Sequence, residues 1–276
     1  MSERPSTFSL LLSQTKYQNK IFFRNPIAAF FTLFFPLMIF LVFSLVFGNE
    51  EIPYLGVTTA QYYAPAMAVF AAVSATYTNL AVTTAYQRDQ GILKRIRGTP
   101  LPPAVYMGGK IVSAIMIATM SVLIMMTIGV VFYGVQIFAA TLLSAVVTFV
   151  IGVASFAALG LLIAAVVSSG EAATAVTNAT LLPLAFFSGV FIPPTEAMPA
   201  WLDAVANFFP LKHFAEPFVA AFNPLTVGAG WDWASLGYMT FWGVIAGALA
   251  IRFFRWESPV GRGGRSKRRK KGAAVA

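Results

Sequence analysis

This sequence predicts an all-α polytopic membrane protein, with six transmembrane helices, an N-terminal amphipathic interfacial helix, and short outer-face helices between spans five and six. Three observations carry the prediction. Of the 276 residues, 58% are hydrophobic and only 11% charged, which leaves more apolar surface than a soluble globule can hide. Uncharged stretches of about 20 residues, the length that crosses about 30 Å of hydrocarbon as a helix, recur six times. The basic residues also fall almost entirely on one side of those stretches.

The predicted spans are approximately 27–47, 62–86, 106–132, 138–167, 172–192 and 234–254. Polar or turn-forming breaks separate them: Asn49-Glu50-Glu51, a basic loop from Gln87 to Pro103, Tyr133-Gly134-Val135-Gln136, and Ser168-Ser169-Gly170-Glu171. An even number of spans puts both termini on one side. With that side cytoplasmic, eighteen of the nineteen Lys and Arg lie inside and only Lys212 outside, as the positive-inside rule requires. Glu50, Glu51, Glu196, Asp203, Glu216 and Asp232 then lie outside. The chain is expected in the plasma membrane, multi-pass, with its first span retained rather than cleaved as a signal peptide.

Three units follow: 1–25, the interfacial helix; 26–256, the six-span domain; and 257–276, a basic tail expected to be disordered near anionic lipid. In the first unit Lys16, Lys20 and Arg24 recur at i, i+4 and i+8, which suits a helix whose cations meet membrane lipid headgroups; an irregular tail is the alternative. The outer segment 188–233 is too polar to span and too apolar for a solvent loop. Short helices tucked against the membrane face are expected there, with Trp201, Trp231 and Trp233 in the interfacial belt.

Several chemistries are absent. The chain has no cysteine, so disulfides, thiolate metal sites and cysteine nucleophiles are excluded. One histidine makes no metal cluster, and neither HExxH nor GxSxG occurs. Gly108-Gly109-Lys110-Ile111 lacks the upstream glycine and the hydroxyl of a phosphate-binding loop, so no cofactor is expected on this chain. The net charge of +9 follows topology rather than a nucleic-acid partner. Lys110, near a helix start, is expected to snorkel to the headgroups.

Polar uncharged residues enter the second span (Ser74, Thr76, Tyr77, Thr78, Asn79, Thr83, Thr84) and the fifth (Thr174, Thr177, Asn178, Thr180). Asn79 and Asn178 must face a helix, a cavity or a subunit interface. Asn79, Thr83, Asn178 and Phe187 are candidates for a substrate path or subunit interface. Gly243 and Gly247 form a GxxxG, a possible pairing surface. His213 and Glu216, at i and i+3, form either a proton-sensitive pair or a plain interfacial pair.

The basic loop reads as a short helix over Gln87–Arg97 with Ile92, Leu93 and Ile96 on one face, stopped at Thr99-Pro100, with Pro102 and Pro103 opening the next span. Its run Arg88-Asp89-Gln90-Gly91-Ile92-Leu93-Lys94-Arg95-Ile96-Arg97-Gly98-Thr99-Pro100-Leu101-Pro102, followed by Tyr106 and Gly109-Lys110, resembles the stretch before the third span of type-2 ABC exporter permeases. The daunorubicin-resistance-like drug and lipid export branch is the nearest. Phe187-Ser188-Gly189-Val190-Phe191-Ile192-Pro193, Met198-Pro199-Ala200-Trp201-Leu202 and Phe209-Pro210-Leu211 resemble that family's outer segment.

The resemblance implies a permease subunit without its own ATP-binding motif, moving an amphipathic drug-like compound, lipid or glycolipid by alternating access. It implies a separate nucleotide-binding ABC ATPase subunit that carries ATP and Mg, and a second permease, identical or not. It also implies that Arg88, Asp89, Gly91, Leu93, Lys94, Arg95 and Arg97 couple to the ATPase, with Glu171 in a second contact. An ion-coupled secondary transporter using His213 and Glu216 is the alternative, and a membrane-embedded lipid enzyme a third reading.

Overall fold

The computed structural model describes residues 6–47, 49–194 and 199–256; Glu196, Met198 and the tail 257–276 lie outside the described residues. The chain opens with α1 (Thr7–Phe23), whose first free amide, on Ser9, donates to the Ser6 hydroxyl. Lys16, Lys20 and Arg24 are exposed as expected, but the covered stripe is partly polar: Thr15, Gln18 and Phe22. That stripe faces protein. A Cβ built on Gly109 would lie 2.5 Å from Gln14 Cγ, and one on Gly108 3.1 Å from a Leu11 methyl. The glycine pair, unfit for a phosphate loop, is thus a notch in which α1 sits.

Helix α2 (Pro26–Val46) starts on an Asn25 cap with Pro26 in the first turn. Pro36, which cannot donate to the preceding turn, follows a π-helical turn over Phe30–Phe34. Thr32, Pro36, Phe40 and Ser44, spaced by four, face inward; Phe31, Phe34, Met38, Val42 and Leu45 face out. A two-strand ribbon, β1 (Glu51–Ile52) antiparallel to β2 (Val57–Thr58), leads into the next span.

Helix α3 (Thr59–Asp89) is the hub, buried all round from Thr59 to Val73 and packed by helices on every side. Its polar stretch Ser74–Asn79 is a π-helical turn. Gly160 of a later helix packs on it so closely that a Cβ there would sit 2.7 Å from the Thr76 and Tyr77 carbonyl oxygens. Next come α4 (Ile92–Arg97), α5 (Pro103–Tyr133), α6 (Ala139–Val166) and α7 (Gly170–Phe187), then α8 (Ala200–Phe208), α9 (Pro210–Ala220) and α10 (Trp233–Phe253).

Among the described residues five helices, α2, α3, α5, α6 and α10, are long and apolar enough to span on their own; the expected fifth span, α7, is not among them. Its 18 residues carry Glu171, Thr174, Thr177, Asn178 and Thr180, which lower its apolar content. It nevertheless runs the length of α3. At its start the Gly170 amide donates to Asp89, midway the Tyr77 hydroxyl bonds Thr180 at 2.8 Å, and beyond its end the Tyr62 hydroxyl donates to the Gly189 carbonyl. The chain is an all-helical polytopic membrane protein.

The outer segment differs from a surface cover. Helix α9 enters the bundle and buries Leu211, Phe214, Ala215 and Phe218. Phe214 lies against Gly152, halfway along α6, where a Cβ would come within 2.7 Å of its ring. The GxxxG also turns inward: Gly243 meets Ser155 of α6, whose hydroxyl donates to the Met239 carbonyl at 2.8 Å. It packs two helices of one chain, so the pairing surface expected there is already occupied.

Candidate functional site

The basic loop is two pieces rather than one helix. Helix α3 continues to Asp89, and Gly91, at φ +71°, breaks it before α4 begins. A left-handed φ strongly favours glycine, which accounts for the residue type at this corner. The Thr99 hydroxyl donates to the Ile96 carbonyl at 2.7 Å and closes α4, and Pro103 opens α5. Leu93, with no exposed surface, pins the short helix to the bundle, while Lys94, Arg95 and Arg97 are exposed.

Arg88 is not on that exposed face. It is 3% exposed, and its guanidinium donates to the Ala164 carbonyl at 2.6 Å and the Val167 carbonyl at 2.7 Å. Those are carbonyls at the end of α6, where a helix leaves acceptors unpaired and a cation is favoured. Each such charge-assisted bond is worth roughly 1.5–3 kcal/mol. Asp89 completes the joint by accepting from the Gly170 amide at 2.7 Å, and the Gly170 Cα lies so near the Tyr86 ring that a Cβ would be 2.5 Å from it. Arg88 and Leu93, expected in the docking set, therefore hold the loop from inside. The exposed set is Asp89, Lys94, Arg95 and Arg97, with Glu171 exposed in the first turn of α7, beside Gly170.

A second cluster lies beneath α1. Lys110 does not snorkel: it is 3% exposed and donates to Gln87 Oε1 at 2.6 Å, an oxygen that also accepts from the Tyr106 hydroxyl at 2.5 Å. The inward turn accompanies the seating of α1 over Gly108-Gly109, which packs beside it. Lys110 borders a small open cavity of about 40 Å³ with Gln18, Asn25, Asn79, Thr83 and Gln87. Asn79 and Thr83 thus face a cavity. Asn178 is exposed on α7 and Phe187 half-buried at its end; neither borders this cavity.

At the far end His213 and Glu216 do not bond each other. His213 Nε2 donates to the Asn207 carbonyl at 2.9 Å, and Nδ1 lies 3.1 Å from the Ser235 hydroxyl. Glu216 instead lies 3.6 Å from Lys212, which donates to Asp203 at 2.5 Å. Burial raises the Glu216 carboxyl above its ordinary range against the pull of Lys212; the hydrogen bond from Lys212 lowers Asp203. Burial pulls Lys212 down, but its two carboxylates prevail and raise it.

The profile of the family described as "ABC-2 type transporter" matches residues 9–223, from α1 to just past α9. The chain belongs to that family. A putative transport permease, YvfS, of Bacillus subtilis (strain 168) is 24% identical over 206 residues, 75% of this chain and 82% of its own. A daunorubicin resistance ABC transporter permease protein, DrrB1, of Streptomyces coeruleorubidus is 29% identical over 204 residues, 69% of this chain and 66% of its own. The probable multidrug ABC transporter permease YbhR of Escherichia coli (strain K12) is 31% identical over 135 residues, 49% of this chain and 36% of its own. The chain is a permease of the ABC-2 transporter family by this kinship.

In this ABC-2 permease, sequence reasoning found the loop and missed its inner fastening. The roles of Arg88 and Lys110 depend on α6 and α1, which approach only in the folded chain. One local signal was present. Gly108-Gly109 directly before Lys110 marks close helix approach, so a cation one residue later falls under the approaching helix.

Proposed function

We propose that the chain is the membrane-spanning subunit of an ATP-driven exporter of an amphipathic compound, driven by a separate ABC ATPase that docks on α4, and that the basic end is cytoplasmic. The observation that carries the reading is the construction of α4. It presents Lys94, Arg95 and Arg97 outward, is pinned by Leu93, and is joined through Gly91 to a clamp in which Arg88 grips α6 and Asp89 grips α7. A push on such a helix moves three helices together, as force transmission into alternating access requires. Asp89 and Glu171 supply carboxylates beside the cations, a mixed-sign surface suited to a protein partner. ATP and Mg belong to that partner, and a second permease completes the path. The names of YbhR and DrrB1 support a drug-like cargo.

The test is co-purification and export. The chain is expressed with its cognate ATPase in membrane vesicles, and ATP-dependent movement of a fluorescent amphipathic drug is followed. A Lys94→Glu/Arg95→Glu double variant should still insert and fold, but lose the ATPase and the export. Unchanged co-purification and export would reject α4 as the docking element. Export driven by an ion gradient without any ATPase would instead favour coupling through His213 and Glu216.

A further inference from the structure

The cavity beneath α1 holds more positive charge and more idle donors than the packing of three helices needs. Lys110 is a buried ammonium whose one hydrogen-bond partner among the described residues is the neutral Gln87 oxygen, and no described carboxylate pairs with it. That oxygen also receives the hydroxyl of Tyr106, whose ring centroid lies 5.8 Å from the ammonium, and two ammonium protons have no hydrogen-bond acceptor among the described residues. Gln18, also on the cavity and near the Tyr106 hydroxyl, is 7% exposed, and its amide nitrogen makes no hydrogen bond of good geometry. Burying a cation and an amide nitrogen unsatisfied costs several kcal/mol in all, roughly. Asn79 adds a further amide to the wall, from the end of the π-helical turn of α3.

Donors without acceptors around a cation define the missing group as an oxyanion. The rest of the wall is mixed, with Asn25, Thr83 and Ser113 beside Ile21, Phe22, Leu80 and Ile117, so polar and oily surfaces meet in one cavity. It lies where the exposed Lys16, Lys20 and Arg24 of α1 would gather anionic headgroups. We infer that this cavity is a phosphate-binding site, filled by the headgroup phosphate of an anionic lipid from the adjoining leaflet or by free phosphate, and held by Lys110 and Gln18 with Asn79. Occupancy would tie α1 to α3 and α5 through one ion. The site is separate from the docking surface on α4, and its test needs no ATPase.

The purified full-length chain is equilibrated with phosphatidylglycerol or with phosphatidylcholine, and bound lipid is counted by native mass spectrometry; in parallel, melting is followed against inorganic phosphate. One retained phosphatidylglycerol per chain, preferred by roughly tenfold or more, the size of one charge-assisted contact, is expected. Lys110→Met and Gln18→Leu should lower the preference, Lys110→Arg should keep it, and Lys20→Met on the exposed face should leave the single tight lipid in place. Stabilisation by inorganic phosphate that depends on Lys110 and Gln18, without a lipid preference, supports the site and makes its ligand soluble. Should Lys110→Met fail to fold, Gln18→Leu carries the same comparison. If neither lipid preference nor phosphate stabilisation differs between wild type and these variants, the inference is wrong.

Discussion

The two ends of the bundle are held together by different forces. At the basic end the joints are directional and charged: Arg88 grips two carbonyls at the end of α6, Asp89 accepts from the first amide of α7, and Thr99 closes α4. Away from that end the packing is aromatic and the joints largely uncharged: Phe214 against Gly152, Phe156 and Phe218, stacked Trp231 and Trp233, and neutral hydrogen bonds from Gln61 to the Gln136 and Phe222 carbonyls and from Tyr63 to the Phe191 carbonyl, with the Lys212 ion pairs at the rim. Hydrogen bonds fix angle as well as distance, whereas dispersion contacts tolerate sliding. The contrast teaches that directional bonds fix both ends, and that what sets the basic end apart is charge.

Removing the clamp is the strongest test of that contrast. Arg88→Met, which leaves the Ala164 and Val167 carbonyls without their donor, should cost about 3 kcal/mol of stability in detergent melts. Arg88→Lys should recover only part, since an ammonium lacks the planar fork. Gly152→Val comes next. Its methyls meet the Phe214 ring, and overpacking of this kind costs roughly 1–3 kcal/mol; a smaller loss would show that α9 slides, sharpening the contrast.

Arg95→Glu should change stability by less than about 0.5 kcal/mol, because the residue is exposed. Loss of ATPase co-purification without loss of folding is the expected result, and loss of folding would place Arg95 in the clamp after all. The smallest effect is electrostatic, at the far rim. Glu216, its carboxyl raised, contributes stability that is full below its ordinary range and lost as pH rises through the raised value. Asp203, its carboxyl lowered, contributes stability present above its ordinary range and lost as pH falls through the lowered value. The two slopes oppose each other. Glu216→Gln should leave melting temperature rising with pH across the acid range, and Asp203→Asn should leave it falling.

Much of the architecture was legible. The spans are visible because crossing hydrocarbon demands uninterrupted apolar length, and Thr99-Pro100 and Pro103 mark the end of the loop because their backbone constraints are local, whereas the break at Gly91 inside the expected Gln87–Arg97 helix came from the structure. Lys16, Lys20 and Arg24 lie outward as their spacing indicates. The expected fifth span, α7, is not among the helices long and apolar enough to span on their own, since Thr177 and Thr180, which satisfy their hydroxyls on their own helix, dilute its apolar content. Helix α9 was read as a surface element because its Lys212, His213 and Glu216 look solvated; its opposite face, Leu211, Phe214 and Phe218, goes into the bundle.

By itself, the sequence determined which segments belong in hydrocarbon, where the chain turns, and that a proline-stopped basic helix lies between two spans. Those properties depend on solvation and backbone sterics within a few residues. Only the tertiary structure decided which cations face inward. Arg88 and Lys110 are buried because α6 and α1 bring carbonyls and a glycine-seated cover over them, and the free energy of a charge is set by its surroundings rather than by its place in the chain.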